Sequence, residues 1–310
     1  MRLLITGGSG FLGSCVTLAA LAEHETFATF FLHPLAGGQR AFTLGARNSA
    51  PGQRPVPGHS PQHRRGHGLR PCPGGIHLDV RDDSAVRRLF AEVRPEAVIH
   101  TAYAKASHEV IVTGSANIAE AAHACGARLV HLSTDVVFGG ARGGYRESDE
   151  LDPLTDYGKM KAEAEMQVML HAPEAVMVRT SLIYGLDGDD AQSRSVLDGI
   201  RSGQPVALFE DEYRCPIVVT DLAAALLELL SIDVRGPLHV AGAERINRYD
   251  FGALLARYYG HDTRGLVATT SAALGILRPK DCTLACTLAA SLLRTRLRGA
   301  TEVLRRLTVK

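Results

Sequence analysis

The chain has no tryptophan, and aromatic residues make up only 5% of it. Interleaved stacking platforms for single-stranded nucleic acid are therefore not expected. It also has little net charge: 34 basic residues face 33 acidic ones, leaving +1. No global field points to nucleic acid or an anionic membrane, and neither is expected as a partner. Long apolar runs are missing too. The longest nearly uncharged stretch, Leu266 to Leu277, is too short for a membrane span. The start, Met1-Arg2-Leu3-Leu4-Ile5-Thr6, runs into glycines rather than into a signal-like apolar segment, so a cytoplasmic location is expected. Cysteines are few and scattered: Cys15, Cys72, Cys125, Cys215, Cys282 and Cys286. No C-x-x-C pair or zinc spacing occurs, which predicts reduced thiols and no metal site. Lysine is scarce as well, at positions 105, 159, 161, 280 and 310 only.

What is present is alternation. Short apolar runs at Leu3–Ile5, Thr26–Phe31, Ile76–Leu78, Ala97–Ile99, Arg128–Leu132 and Ala175–Val178 read as strands. Between them, helical patterns run over Phe11–Glu23, Asp82–Val93, Val110–Cys125 and Tyr157–Leu170. This predicts an α/β fold of Rossmann type, a doubly wound parallel sheet with helices on both faces. The second half is less regular. Helices are expected over Leu222–Leu230, with Thr220 or Asp221 as N-cap, over Tyr249–Tyr259, and along an arginine-rich tail from Leu288 to Leu307. We expect a dinucleotide-binding domain over 1–180 plus about 205–242, and a smaller mixed substrate lobe over about 181–204 and 243–310. Residues 36–75 hold nine Gly, six Pro, six Arg and three His without Asp, Glu or Lys, and read as a flexible insertion.

Two motifs carry chemistry. Thr6-Gly7-Gly8-Ser9-Gly10-Phe11-Leu12-Gly13 lies between the first strand and the first helix. Gly7 suits the tight turn, Gly10 a close approach of pyrophosphate, and Gly13 close helix–strand packing. The helix amides then face the phosphates, with Phe11 and Leu12 beside them. The second motif is Tyr157-Gly158-Lys159-Met160-Lys161, Y-x-x-x-K. On a helix, Tyr157 and Lys161 share one face, so an ammonium can lower the pKa of a phenol that must deliver a proton.

The spacing G-x-x-G-x-x-G with Y-x-x-x-K resembles the short-chain dehydrogenase/reductase superfamily, in its extended branch acting on nucleotide sugars. Leu132-Ser133-Thr134-Asp135-Val136-Val137-Phe138-Gly139 is similar to the S-T-D-x-V-F segment of dTDP-4-dehydrorhamnose reductases. The resemblance implies that Thr134, Tyr157 and Lys161 are catalytic, with Thr134 bonding the substrate carbonyl. It also implies that Asp79 and Val80 meet adenine, that Ala102 and Tyr103 line the nicotinamide ribose, and that Tyr103, Asp135, Val136 and Arg214 border the substrate. The implied cofactor is NADP or NAD. The second strand ends Phe31-Leu32-His33-Pro34 with no carboxylate to bond a ribose diol, and His33 and Arg40 follow, which favours NADP.

Two positions depart from the family. Ile111 stands where many members carry an asparagine that seats the lysine, and Val136 stands where rhamnose-pathway reductases carry an aromatic. The implied function is NAD(P)H-dependent reduction of a keto group on a nucleotide-linked deoxysugar. Alternatives are a nucleotide-sugar epimerase or dehydratase, for which Asp135 is an available acid, and a non-catalytic cofactor-binding subunit like that of methionine adenosyltransferase. An assembly of two copies is left open.

Overall fold

Apolar strands too short to shield themselves must be buried on both faces, and the chain achieves this by winding its crossovers to either side of one sheet. A computed structural model describes residues 1–32 and 75–306. The insertion expected at 36–75 lies outside the described residues apart from Gly75, as do His33 and Arg40.

The elements of the first half are β1 (Arg2–Thr6), α1 (Phe11–Ala20), β2 (Glu25–Phe30), β3 (Ile76–His77), α2 (Asp83–Val93), β4 (Ala97–His100), α3 (Gly114–Ala124), β5 (Arg128–Thr134), α4 (Asp156–His171) and β6 (Val176–Thr180). There follow β7 (Ile183–Tyr184), α5 (Ala191–Arg201), β8 (Val206–Phe209), β9 (Tyr213–Arg214), β10 (Ile217–Val218), α6 (Val219–Glu228) and β11 (Gly236–His239). The chain then forms β12 (Ile246–Asn247), α7 (Arg248–Tyr258), β13 (Leu266–Thr269), α8 (Thr287–Leu292) and α9 (Ala300–Arg306).

The main sheet runs β11-β6-β5-β4-β1-β2-β3, all parallel. Strand order reverses between β1 and β4, and ligands of such sheets bind at the carboxyl ends of the strands beside that switch point. Alternate residues feed two cores. Leu3, Ile5, Ile99 and Val130 pack with α1 and α6, while Leu4, Val98, Leu129 and Met177 pack with α2 and α3. A third core gathers Tyr184, Val196, Leu208, Phe251, Leu255 and Leu304. There β8 pairs with β13 rather than with the main sheet.

Three local expectations are revised. The helix read as Leu222–Leu230 begins at Val219, because β10 runs straight into it. Val218 is its N-cap without a side-chain bond, and Asp221 lies in the first turn. The tail is not one helix. Glu228 of α6 accepts hydrogen bonds from the backbone N–H of Arg294 (2.7 Å) and Thr295 (2.9 Å), which interrupts the ladder between α8 and α9. Finally, the helix read over Val110–Cys125 opens with a π-helical turn, Glu109–Thr113, before α3. Turns of that kind are rare and cluster at functional sites.

Candidate active site

The glycine-rich loop follows β1 at the switch point. Gly7 has φ +75°, and a Cβ there would lie 2.7 Å from the backbone of Ala102, so only glycine fits against the end of β4. A Cβ on Gly13 would come within 2.1 Å of the Gly7 carbonyl oxygen, which fixes how closely α1 approaches the loop. Gly10 is the N-cap of α1 and has no side chain to satisfy the first amides. A helix start without a side-chain cap can turn its amides to a phosphate, as a pyrophosphate site requires. Leu12 turns into the core, and Phe11 packs near Gly185. Gly8 escapes the motif reading. It donates to the Thr29 carbonyl (2.8 Å), and a Cβ on it would meet the Ala28 side chain at 2.7 Å. A dinucleotide fits this cradle: glycine where backbone must be approached, and a helix N-terminus without a side-chain cap where charge must be met.

Asp79 and Val80 follow β3. Asp79 is held by Arg81 at 2.6 Å, and that hydrogen-bonded guanidinium keeps its carboxyl below the usual range. Arg81 also lies over the Phe31 ring, 5.4 Å from its centroid. Val80 is buried against Gly114, whose Cβ would sit 2.6 Å from the valine Cγ2, and Asn117 Nδ2 donates to the Val80 carbonyl (2.9 Å). The first turn of α3 thus pins the loop that carries both residues.

Thr134 ends β5, and a short turn over Asp135–Val137 carries Val136 past it. The first turn of α4 rests on that loop: a Cβ on Gly158 would fall 2.2 Å from the Val136 carbonyl oxygen. Thr155 caps α4 by accepting from the Gly158 N–H (3.0 Å). Glycine within Tyr157-Gly158-Lys159 is therefore what lets the helix bearing Tyr157 come down onto the strand end bearing Thr134. Tyr157 faces Tyr103, their ring centroids 6.4 Å apart, and Tyr103 is exposed. Burial, reinforced by Tyr103 and Asp135, pushes the Tyr157 phenol upward, so it stays protonated. The expected lowering by Lys161 does not prevail here. Lys161 is 5% exposed and donates from Nζ to the Leu132 carbonyl at 2.6 Å. Desolvation brings its ammonium down to about 8, against a raising influence of Glu165.

Asp135 and Arg214, read from the resemblance as substrate neighbours, are only 3% and 2% exposed. Asp135 accepts from Ser181 Oγ (2.6 Å) and lies 3.7 Å from Arg214 Nε. Arg214 also binds Glu212 (2.9 Å), which in turn holds Arg278 (2.8 Å). This chain of charges ties the turn after Thr134 to the segment before α8. Val136 is half-buried beside it.

Sequence reading missed the polar layer behind the lysine. His100 on β4 and His131 on β5 are register partners whose rings stack at 5.3 Å. His100 shares a hydrogen bond with Thr6 Oγ1 (2.5 Å) and another with Ser115 Oγ (3.2 Å). Ser115 in turn donates to the Ile111 carbonyl (2.6 Å), inside the π-helical turn. Ser133 donates to Glu165 (2.5 Å), and Glu165 pairs with Arg179 of β6 (2.8 Å). The available signal was polar residues at strand positions where alternation demanded apolar ones: His100, His131, Ser133 and Arg179.

A family model described as RmlD substrate binding domain matches residues 1–309. Methionine adenosyltransferase 2 subunit beta of Pongo abelii is 27% identical, covering 92% of this chain and 80% of its own. The dTDP-4-dehydrorhamnose reductase of Mycolicibacterium smegmatis is 36% identical, over 56% of each chain. Among solved structures, a dTDP-4-dehydrorhamnose reductase from Bacillus anthracis in complex with NADP superposes with a TM-score of 0.76, at 21% identity over 99% of this chain and 98% of that one. A dTDP-4-dehydrorhamnose reductase from Clostridium acetobutylicum also gives 0.76, at 23% identity and 98% coverage of both. Because that family model spans nearly the whole chain, the chain belongs to the RmlD substrate binding domain family.

Proposed function

We propose that the protein is an NAD(P)H-dependent reductase of a keto group on a nucleotide-linked deoxysugar, in the manner of dTDP-4-dehydrorhamnose reductases. The observation that carries this reading is the set of three polar side chains at the switch-point edge: Thr134 ending β5, and Tyr157 and Lys161 one turn apart on α4. The family contains both reductases and a regulatory subunit, so the side chains, not the fold, must argue for catalysis.

The nicotinamide cofactor, when bound, supplies the hydride that reduces the keto carbon. Gly7, Gly10 and Gly13 hold its pyrophosphate on the α1 amides, and Asp79, Val80, Ala102 and Tyr103 border its two ends. Tyr157 is the proton donor, because its buried phenol is held protonated. The Thr134 hydroxyl bonds the substrate carbonyl and so favours the charge that develops on oxygen. Lys161 keeps positive charge behind the phenol and bonds the ribose. Val136 and Tyr103 shape the sugar pocket, while Asp135 and Arg214 set the position of the Thr134 turn from the interior. The lobe built on the third core, over about 181–204 and 243–310 together with β8, receives the nucleotide moiety. The lack of a carboxylate after β2 favours NADP.

The test is oxidation of NADPH by the purified protein across a panel of 4-keto-6-deoxysugar nucleotides. Turnover with at least one of them is expected. No turnover, together with a change in the activity of a methionine adenosyltransferase when the two are mixed, would instead assign the regulatory role.

A further inference from the structure

His131 is 1% exposed, and neither ring nitrogen has a hydrogen-bond partner among the described residues. An imidazole buried without partners carries a desolvation cost that a strand position could avoid with any apolar residue. Its surroundings suggest what it serves. Strand alternation puts His131 and Ser133 on the same face of β5, and Ser133 meets Glu165 of α4 there. The carbonyl between them, that of Leu132, is the one Lys161 Nζ bonds. Lys161 lies one turn before Glu165 on α4. Burial, reinforced by the lysine charge, holds His131 well below its ordinary value and His100 down to about 3, so both rings are uncharged. A neutral imidazole offers one lone pair whichever nitrogen carries the proton. His100 has both nitrogens engaged, with Thr6 and Ser115. His131 does not.

We propose that His131 is a positioning residue for Lys161, turning its lone pair toward the buried ammonium. The proposal rests on the reading of Tyr157 and Lys161 as the proton-transfer pair. Around Lys161 lie Tyr157 and Glu165, each one turn away on α4, and His131 and Ser133, which flank the Leu132 carbonyl on β5; His100 of β4 stacks on His131 and bonds Ser115 of α3. Arg179 lies behind Glu165 and Asp135 near Tyr157. Of these, Glu165 is already neutralised by Arg179 through bonds of 2.8–3.1 Å. The imidazole is thus the nearby acceptor left with capacity to spare.

The scarcity of lysine makes the proposal directly testable. With only five lysines in the chain, ¹³Cε-lysine NMR resolves each side chain, and Lys161→Met identifies the Lys161 signal by its loss. The parent signal should titrate near pH 8. In His131→Leu the charged form loses the lone pair proposed to be turned toward it, and the midpoint should fall by about one pH unit. His131→Gln, whose amide oxygen also accepts, should return it toward the parent value. If His131→Leu does not fold, His131→Phe makes the same comparison while keeping a ring stacked on His100. The alkaline limb of kcat should move in step, with cofactor affinity unchanged. An unshifted midpoint in the Leu or Phe variant overturns the proposal, as does a Gln variant that behaves like Leu. A shifted midpoint in a protein that reduces no keto sugar leaves the positioning role standing and removes the reductase reading.

Discussion

Tyr157 and Lys161 share a helix face but not a job, and their replacement should separate the two roles. General acid catalysis of this kind is worth about 10²–10⁴-fold. Tyr157→Phe keeps the ring against Tyr103 and should lower kcat by roughly that factor, with NADPH affinity unchanged by calorimetry. Lys161→Met should weaken both turnover and cofactor binding. The pH dependence follows from burial of the ammonium, whose midpoint is brought to about 8. Below that value Lys161 is charged and supports the phenol; above it the charge is lost. The rate of ketone reduction should therefore be flat below pH 8 and fall above it, and a steady-state profile of kcat checks this. What was legible is where Thr134, Tyr157 and Lys161 fall in the fold, because their spacing is local: a helix repeat for two of them and a strand end for the third. His131 was not legible, because its meaning depends on which carbonyl a lysine 30 positions later comes to bond.

Two elements, α1 and α4, are aimed by glycines, and their tolerance should differ according to what a methyl group would strike. In Gly13→Ala the new Cβ meets the Gly7 carbonyl oxygen, so the loop must shift and cofactor binding should be lost. In Gly10→Ala the nearest atom is 3.2 Å away, and binding should weaken only modestly. Calorimetric titration with NADPH distinguishes them; equal losses would mean that the loop is not shaped by this packing. Gly158→Ala presses on the Val136 carbonyl. It should lower kcat at least about tenfold by moving Tyr157 away from Thr134, while leaving the cofactor dissociation constant near the parent value. The strands and helices of the first half were readable because apolar runs of period two alternate with capped helical patterns, as Asp82 accepting from the Ala85 N–H illustrates. The tail was misread for a physical reason. Arg294 and Thr295 have helix-compatible sequence, but the Glu228 carboxylate, held down to about 2 by their amides despite its burial, satisfies those amides from another element.

At the scale of the whole molecule, the buried charges and rings set how the fold responds to conditions. Arg179 and Glu165, which join β6 to α4, are 5% and 3% exposed, so removing one partner leaves the other as an unpaired buried charge. Glu165→Gln should cost about 3–5 kcal/mol in urea denaturation, whereas an exposed pair such as Arg194 with Asp189 should cost under about 1 kcal/mol. Acid should be destabilising through the histidine pair. His100 titrates at about 3 when folded and at 6.5 when free, so between those values the unfolded chain binds a proton that the native one refuses. Stability therefore falls as pH drops through that window, and His131→Leu should flatten the slope of melting temperature against pH. Ala289, Leu293 and Leu297 lie in the core beside the main sheet, while Ala300, Val303 and Leu304 lie in the third core. Arg298, between the two groups, pairs with Asp221 at 2.5 Å. A single ribbon of chain is thus stitched through both hydrophobic cores, and neither can melt without pulling on the other. Scanning calorimetry should show one cooperative transition, and a nick anywhere from 293 to 299 should split it into two.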